Sequence, residues 1–301
     1  MVGMALPHIG FVGIGSMGTP MAKRVLGGGY PLTVYDVDQA KADQLAAEIQ
    51  CRSAASLADL GRDADIVVTM VQNGHIVREI MFGEGGVAST LSPGGVLVDM
   101  SSADAMGTRA MGPKLAAQGI AMVDAPVSGG AWGAASGTLS IMIGADDEAA
   151  CAAVEPLLRT MGDKLFRVGG LGTGHATKAL NNMVAAISVV GCAEVFLMAR
   201  EFGLDPARIF EIINVSTGQS WNSDLMANKR LPDPTNPLGF AIALMAKDLG
   251  LAADLADELK VEAPITHAAH RIFSEASEAL GPADIAKLIS WLEGKGGKAN
   301  A

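Results

Sequence analysis

An apolar run, Ile9–Ile14, leads into three glycines spaced Gly13-Ile14-Gly15-Ser16-Met17-Gly18, and these open an amphipathic stretch, Met17–Leu26. That order asks for a strand, a tight turn and a helix. Gly13 permits the turn, Gly18 lets helix and strand pack closely, and Gly15 leaves bare backbone beside a helix N-terminus, where a pyrophosphate is held in dinucleotide-binding folds. Three glycines can also make a plain loop, so the pattern needs a second signal. Asp36 supplies it: it ends the next strand candidate, Leu32–Asp36, about twenty residues past the glycines, where an acid accepts hydrogen bonds from the adenosine ribose. Gly13, Ile14, Gly15, Ser16, Met17, Gly18 and Asp36 are therefore predicted to bind a dinucleotide. A carboxylate repels a 2′-phosphate, and Val37 and Asp38 follow rather than an arginine, so NAD is expected over NADP.

From His8 to about Val168, short apolar runs alternate with amphipathic stretches, the rhythm of βαβ units on a parallel sheet. The further strand candidates are Asp65–Val71, Val96–Met100, Ala121–Ala125, Leu139–Ile143 and Leu165–Val168; helices are predicted at Gln39–Ile49, Ala103–Gln118 and Asp147–Met161. Glycine and proline clusters at Gly27–Pro31 and Ser92–Gly95 mark breaks. After Gly169-Gly170 the β-branched runs stop and apolar residues recur at helical spacing, with helices expected at Gly174–Phe202, Asp205–Val215, Ser223–Lys229, Gly239–Leu259, Pro264–Leu280 and Pro282–Trp291. The fold class predicted is α/β: a Rossmann dinucleotide-binding domain over residues 1–170, followed by an all-α domain over 171–301 for substrate and dimerisation.

With 301 residues, half of them hydrophobic, the chain can bury a large core. Its formal charge of -10 argues against nucleic acid or an anionic membrane as a partner, since both require clustered Lys and Arg. Cys51, Cys151 and Cys192 share no short spacing, so no metal site and no disulfide framework is expected. The N-terminus lacks the basic start and apolar stretch of a signal peptide, and the apolar run near Lys178 reads as short and interrupted by Asn181, Asn182 and Ser188. A cytoplasmic protein is the expectation.

The chemistry is expected near Lys178. The fifteen residues after it, Ala179–Ala193, carry no formal charge, and His175, Lys178 and Asn182 share one helical face with Asn181 beside them. A lysine within about one turn of a helix N-terminus meets the positive end of the dipole, and partial burial adds to this, so its pKa should fall toward the range where it can exchange protons. A solvated helix-end lysine is the competing reading, and His175 reads as a capping or orienting group rather than a base. Val71, Gln72, Ser101 and Ser102 fall at the ends of later strands, on the rim where ligands of open parallel sheets bind, or are ordinary loop polars. The loop Ser128-Gly129-Gly130 after Asp124-Ala125-Pro126-Val127 could bind a carboxylate through its amides and hydroxyl, or be a mere turn. Lys247-Asp248 reads as an exposed helical ion pair, with a second ligand-side cation as the alternative.

Taken in order, Gly10-Phe11-Val12-Gly13-Ile14-Gly15-Ser16-Met17-Gly18, Asp124–Gly130, Gly172-x-Gly174-x-x-x-Lys178-x-x-Asn181-Asn182 and Lys247-Asp248-Leu249-Gly250-Leu251 resemble the β-hydroxyacid dehydrogenases, the group containing 3-hydroxyisobutyrate dehydrogenase, tartronate semialdehyde reductase and 6-phosphogluconate dehydrogenase. The match runs over nearly the whole chain. The resemblance implies that Lys178 is the general acid/base, that Asn182 with Ser128, Gly129 and Gly130 holds the substrate, that Lys247 lies against cofactor and substrate, and that Val71, Gln72 and Ser102 touch NAD. It also implies a homodimer or homotetramer paired through the all-α domain. Two positions depart from the family: Val71-Gln72 stands where Leu-Pro is common, and His175 where Gln or a small residue is usual.

The expected reaction is NAD-dependent oxidation of a small 3-hydroxy acid such as 3-hydroxyisobutyrate. Tartronate semialdehyde or glyoxylate reduction and L-serine or L-threonate oxidation are the alternatives within the family. Asp36, and the lack of an obvious basic cluster, argue against a phosphosugar. An imine reductase or a dinucleotide-binding regulatory protein would be expected to lack the lysine. Ser220-Trp221-Asn222 reads either as pocket wall or as an interface tryptophan.

Overall fold

A computed structural model describes residues 6–233 and 235–298. In chain order the first part contains β1 (Ile9–Val12), α1 (Gly18–Gly27), β2 (Leu32–Tyr35), α2 (Gln39–Ile49), β3 (Arg52–Ser53), α3 (Leu57–Asp63), β4 (Ile66–Thr69), α4 (Gly74–Phe82), β5 (Val96–Asp99), α5 (Ala105–Ala116), β6 (Ala121–Asp124), β7 (Val127–Ser128), α6 (Gly130–Ser136), β8 (Ser140–Ala145), α7 (Glu148–Met161) and β9 (Lys164–Gly169). Sheet order is β3-β2-β1-β4-β5-β6-β8-β7, with β9 on β8. The first six strands are parallel, and their order is that of a Rossmann domain, which reverses direction between β1 and β4.

Both faces of this sheet are covered, so its strands read as continuous apolar runs rather than alternating ones. Along β4, Ile66 and Val68 pack with Met21 and Val25 of α1 and Leu45 of α2, whereas Val67 faces Leu60 of α3, Ile80 of α4 and Leu115 of α5. Helix starts follow short polar side chains: Asp38, Ser56, Asn73, Asp104 and Asp147 each accept a bond from a first-turn amide.

The parallel pattern expected from the sequence holds through β6 and stops there. Only Ala125-Pro126 separate β6 from β7, too short for a crossover helix, and β8 runs antiparallel to both. The sequence reading also missed β3 and β7, each two residues long.

The register aligns the last residues of the central strands in one row, Tyr35, Val12, Thr69, Asp99 and Asp124. This row is the carboxyl-end rim of the sheet, and two of its five members are fully buried acids.

The remainder is helical: α8 (Thr173–Phe202), α9 (Pro206–Asn214), α10 (Trp221–Leu225), α11 (Ile242–Glu258), α12 (Pro264–Leu280) and α13 (Leu288–Lys298). The helix expected at Ser223–Lys229 is α10 followed by a π-helical turn, Met226–Arg230. The chain divides into two compact units at Lys178/Ala179, within α8. In the second unit Ala186, Val189 and Val190 of α8 pack with Ile242, Met245 and Leu249 of α11 and with Phe273 of α12. Helix α8 runs unbroken for 30 residues, so Asn181, Asn182 and Ser188 do not interrupt it. By length and composition it could cross a membrane, with mean hydropathy 1.8 over its most apolar window and 33% of that window buried. Leu180, Val184, Met198 and Phe202 are exposed along it.

Candidate active site

Each fingerprint glycine has a separate steric reason. Gly13 has φ +91°, and a Cβ there would lie 2.4 Å from the Met70 carbonyl oxygen. At Gly18 a Cβ would lie 1.9 Å from the Gly13 oxygen, so nothing larger allows α1 to approach β1. A Cβ on Gly15 would meet nothing within 4 Å. The bare backbone there faces open space, and the N-cap of α1, Met17, has no side-chain capping bond. Such a helix start suits an anionic diphosphate.

Asp36 is bonded to this loop, its Oδ2 accepting from Ile14 N at 2.9 Å and its Oδ1 from Asp38 N at 3.1 Å. Glycine turn and acid are thus one hydrogen-bonded assembly, and lone pairs left on the carboxylate suit ribose hydroxyls.

On the neighbouring strand ends, Val71 is half-buried, Gln72 exposed and Ser102 half-buried. Ser101 serves the fold. It is fully buried, and its Oγ accepts from Val71 N at 3.0 Å, joining the residues after β4 to those after β5. Ser128 ends β7, and Gly129 (φ +134°) and Gly130 (φ +63°) make the turn into α6. Both glycines are exposed, and space is open around the Gly130 Cα.

Behind the rim lies a buried polar cluster that the sequence reading did not assemble. Asp124 accepts from Gly172 N at 2.7 Å through Oδ1 and from His175 N at 2.8 Å through Oδ2, so a β6 carboxylate caps the start of α8. Asp99 Oδ1 accepts from the Thr69 hydroxyl at 2.9 Å and from Ser101 N at 3.0 Å. The His175 ring sits between these acids, Nε2 3.7 Å from Asp99 Oδ2 and Nδ1 3.9 Å from Asp124 Oδ2. Nδ1 also lies 2.8 Å from the Thr108 hydroxyl of α5. Burial pushes the Asp124 carboxyl above its ordinary pKa, opposed by His175 and the two amides. The His175 ring is buried at the start of α8 rather than exposed at its end. The signal in the sequence was the pair Leu97-Val98-Asp99 and Met122-Val123-Asp124, each an apolar strand closed by an acid.

Lys178 is half-buried, three residues beyond His175 and so on the same side of α8. At about 1.5 Å of rise per residue it sits about one turn from the helix start that Asp124 caps.

In the second unit Asn182 is buried, and its amide donates to Asp248 Oδ2 at 2.5 Å while accepting from Asn181 at 3.0 Å. Lys247 Nζ lies 3.0 Å from Asp248 Oδ1. The ion pair expected to be exposed is therefore largely buried: Asp248, only 4% exposed, joins Lys247 and Asn182 through its two oxygens. Trp221 is exposed at the start of α10, Ser220 and Ser223 form a capping box, and Asn222 is buried and donates to the Ala185 carbonyl on α8.

Residues 8–170 match the family described as the NAD binding domain of 6-phosphogluconate dehydrogenase, and residues 172–292 the NAD-binding family of NADP-dependent 3-hydroxyisobutyrate dehydrogenase. Human mitochondrial 3-hydroxyisobutyrate dehydrogenase is 38% identical over 273 residues, 88% of this chain and 80% of its own length. The 2-(hydroxymethyl)glutarate dehydrogenase of Eubacterium barkeri is 38% identical over 274 residues, 91% of this chain and 90% of its own. Among solved structures, 3-hydroxyisobutyrate dehydrogenase of Mycobacterium tuberculosis with L-serine superposes with a TM-score of 0.88 at 32% identity, covering 96% of this chain and 99% of that one. A Rossmann sheet with a tethered glycine loop, a helical second unit and these relatives together mean that the chain belongs to the β-hydroxyacid dehydrogenase family, of 3-hydroxyisobutyrate dehydrogenase type, and is an NAD(P)-dependent dehydrogenase acting on CH–OH groups of small molecules.

Proposed function

We propose that this protein oxidises a small 3-hydroxy acid, 3-hydroxyisobutyrate or a close analogue, to the semialdehyde with NAD, using Lys178 as general acid/base. The observation that carries the reading is the capping of α8 by Asp124, which ties the lysine's helix to the strand-end rim. As a neutral amine, Lys178 Nζ accepts the hydroxyl proton during oxidation; as an ammonium it returns that proton to the carbonyl oxygen in reverse. NAD, when bound, supplies the hydride acceptor. Gly13, Ile14, Gly15, Ser16, Met17 and Gly18 would hold its pyrophosphate and Asp36 its ribose, with Val71, Gln72, Ser102 and Lys247 as further contacts. Asp36 followed by Val37 and Asp38 favours NAD over NADP. Ser128, Gly129, Gly130 and Asn182 would hold the substrate carboxylate and backbone.

The named relatives support one substrate class. 3-Hydroxyisobutyrate, L-serine and 2-(hydroxymethyl)glutarate all carry CH2OH on the carbon next to a carboxylate. They differ only in the third substituent on that carbon, so the reacting unit we propose is this hydroxymethyl acid. We assign the NAD-binding domain to residues 1–170, which also lend Ser128, Gly129 and Gly130 to the substrate, and the substrate and dimerisation domain to 171–301, which lends Lys247 to the cofactor. A homodimer or homotetramer would cover the exposed apolar residues of α8, and three free thiols suit a cytoplasmic, reducing setting.

The test is NAD and NADP reduction across a panel of hydroxymethyl acids at alkaline pH, repeated with Lys178→Ala. The variant should lose roughly 10²- to 10⁴-fold in turnover while still binding NAD. Unchanged turnover would reject the lysine's role, and silence across the panel would reject the substrate class.

A further inference from the structure

The reaction proposed above has no part for His175, yet the imidazole is only 1% exposed, between two carboxylates with no exposure at all. Two side-chain atoms in this cluster, His175 Nε2 and Asp99 Oδ2, are buried without a hydrogen-bond partner, and they face each other at 3.7 Å. That gap exceeds hydrogen-bond length. The surroundings are also tight. A Cβ on Gly144 would lie 2.5 Å from Asp124 Oδ1, and one on Gly174 2.4 Å from the Met142 oxygen.

The proton count follows from the partners. The Thr108 hydroxyl carries one hydrogen, with the Asp104 carbonyl at 3.0 Å and His175 Nδ1 at 2.8 Å as its neighbours. If the hydroxyl donates to His175, Nδ1 is the bare nitrogen and Nε2 carries the ring proton. If it donates to Asp104, Nδ1–H donates to Thr108, and a bare Nε2 would set its lone pair against a buried carboxylate oxygen, two acceptors with no donor between them. Such an arrangement costs the desolvation of both groups. Either way a proton belongs on the line between Nε2 and Asp99 Oδ2. The charged and titratable groups meeting the ring are Asp99 from β5 and Asp124 from β6; α5 contributes only the Thr108 hydroxyl.

We propose that His175 is a positioning residue for Lys178, held by an Nε2–H directed at the Asp99 carboxylate so that electrostatic attraction ties the first turn of α8 to β5 as well as to β6. Asp124 holds the helix through its backbone amides, which fixes where the helix starts. The ring contact to Asp99 adds a second anchor at a different strand, and two anchors resist rotation of the helix about its axis, the motion that would swing Lys178 away. The inference rests on Lys178 being the proton-transfer group.

Nitrogen-15 spectroscopy of histidine-labelled protein, with the His175 signal assigned through its loss in His175→Gln, reads the proton directly. Nε2 should be protonated throughout the pH range of turnover. A bare Nε2 in that range overturns the proposal. Kinetics supply the second arm. His175→Leu, which cannot donate, should lower kcat about 10- to 100-fold with KM little changed, as expected of a displaced catalytic group, and His175→Gln, whose amide can donate, should recover most of it. A folded His175→Leu with wild-type kcat, or a glutamine variant no better than the leucine one, also overturns it. If His175→Leu does not fold, the nitrogen measurement on the unaltered protein decides. The two readings fail separately: full activity in Lys178→Ala removes the lysine's role and leaves the Nε2 proton standing, whereas a bare Nε2 removes the His175 tie and leaves Lys178 untouched.

Discussion

Replacing Asp124 perturbs the joint between β6 and α8 at its strongest point. The carboxylate is fully buried and meets two amides, Gly172 N at 2.7 Å and His175 N at 2.8 Å. Asp124→Ala leaves both N–H groups without a partner, at about 1–3 kcal/mol each, so a loss of about 2–6 kcal/mol is expected. Asp124→Asn can meet one amide with its carbonyl but turns its own N–H toward the other, and should fall between alanine and the unaltered protein. At about 2–4 °C per kcal/mol for a unit of this size, thermal unfolding of Asp124→Ala should drop by about 5–20 °C. The pH dependence has a definite sign. Burial raises the folded pKa of Asp124 above its unfolded value, so the native state holds that proton more tightly. The stability this contributes is present below the unfolded value and is lost as pH rises through the folded one. Asp124→Asn, having nothing to titrate there, should lack that slope. An alanine variant melting within about 2 °C of the unaltered protein would refute the capping role, and an asparagine variant with the same acid-side slope would refute the raised pKa.

The glycine loop separates stability from binding. Gly15→Ala should leave the melting temperature unchanged, because its Cβ meets no atom, yet weaken NAD about tenfold or more in a calorimetric titration if a ligand occupies that space; Gly18→Ala should lose both, and equal NAD affinity in Gly15→Ala would sink the pyrophosphate assignment. Asp36→Asn combined with Val37→Arg should cut kcat/KM for NAD about 10- to 100-fold, the worth of charge-assisted bonds, and shift preference toward NADP; an unmoved cofactor ratio would mean that Asp36 serves only the loop. On α8, Val184→Glu places a charge among exposed apolar residues, and sedimentation should show dissociation toward monomers; an unchanged assembly would rule out that face as an interface.

How much of this could be read from the chain depended on whether an element carried its own period. The strands β1, β2, β4, β5 and β6 are buried apolar runs, all but β4 preceded within two residues by a glycine or proline, and their predicted bounds agree to within a residue or two. Helix α12 begins at Pro264, a proline pre-shaped for a first turn, and was legible at both ends. Strand β7 has two residues and no period, and the antiparallel return of β8 depends on a two-residue connection rather than on any pattern within β8 itself. The site divides the same way. Gly13, Gly15, Gly18 and Asp36 lie within one βαβ unit, whose spacing is local. Asp99 and His175 are 76 residues apart in the chain, and their approach required knowing that β5 and β6 are neighbours with Asp99 and Asp124 in register.

The buried acids also bear on how a chain of formal charge -10 can present a rim suited to anions. Two carboxylates at the ends of β5 and β6 would ordinarily repel an acid substrate or a pyrophosphate. Both are turned inward, where donors meet them: Thr69 and Ser101 N on Asp99, Gly172 N and His175 N on Asp124, and the His175 ring between. Their charge is thus largely balanced within the protein rather than projected outward. What remains toward the rim includes the uncapped start of α1, the exposed glycines of the β7–α6 turn and one half-buried acid, Asp36, whose Oδ2 and Oδ1 each accept a backbone N–H. Local donors, not net charge, decide what such a surface binds. The Asp124 carboxylate that is turned inward also caps the start of α8, so quieting the charge at the strand end and fixing where that helix begins are a single structural act.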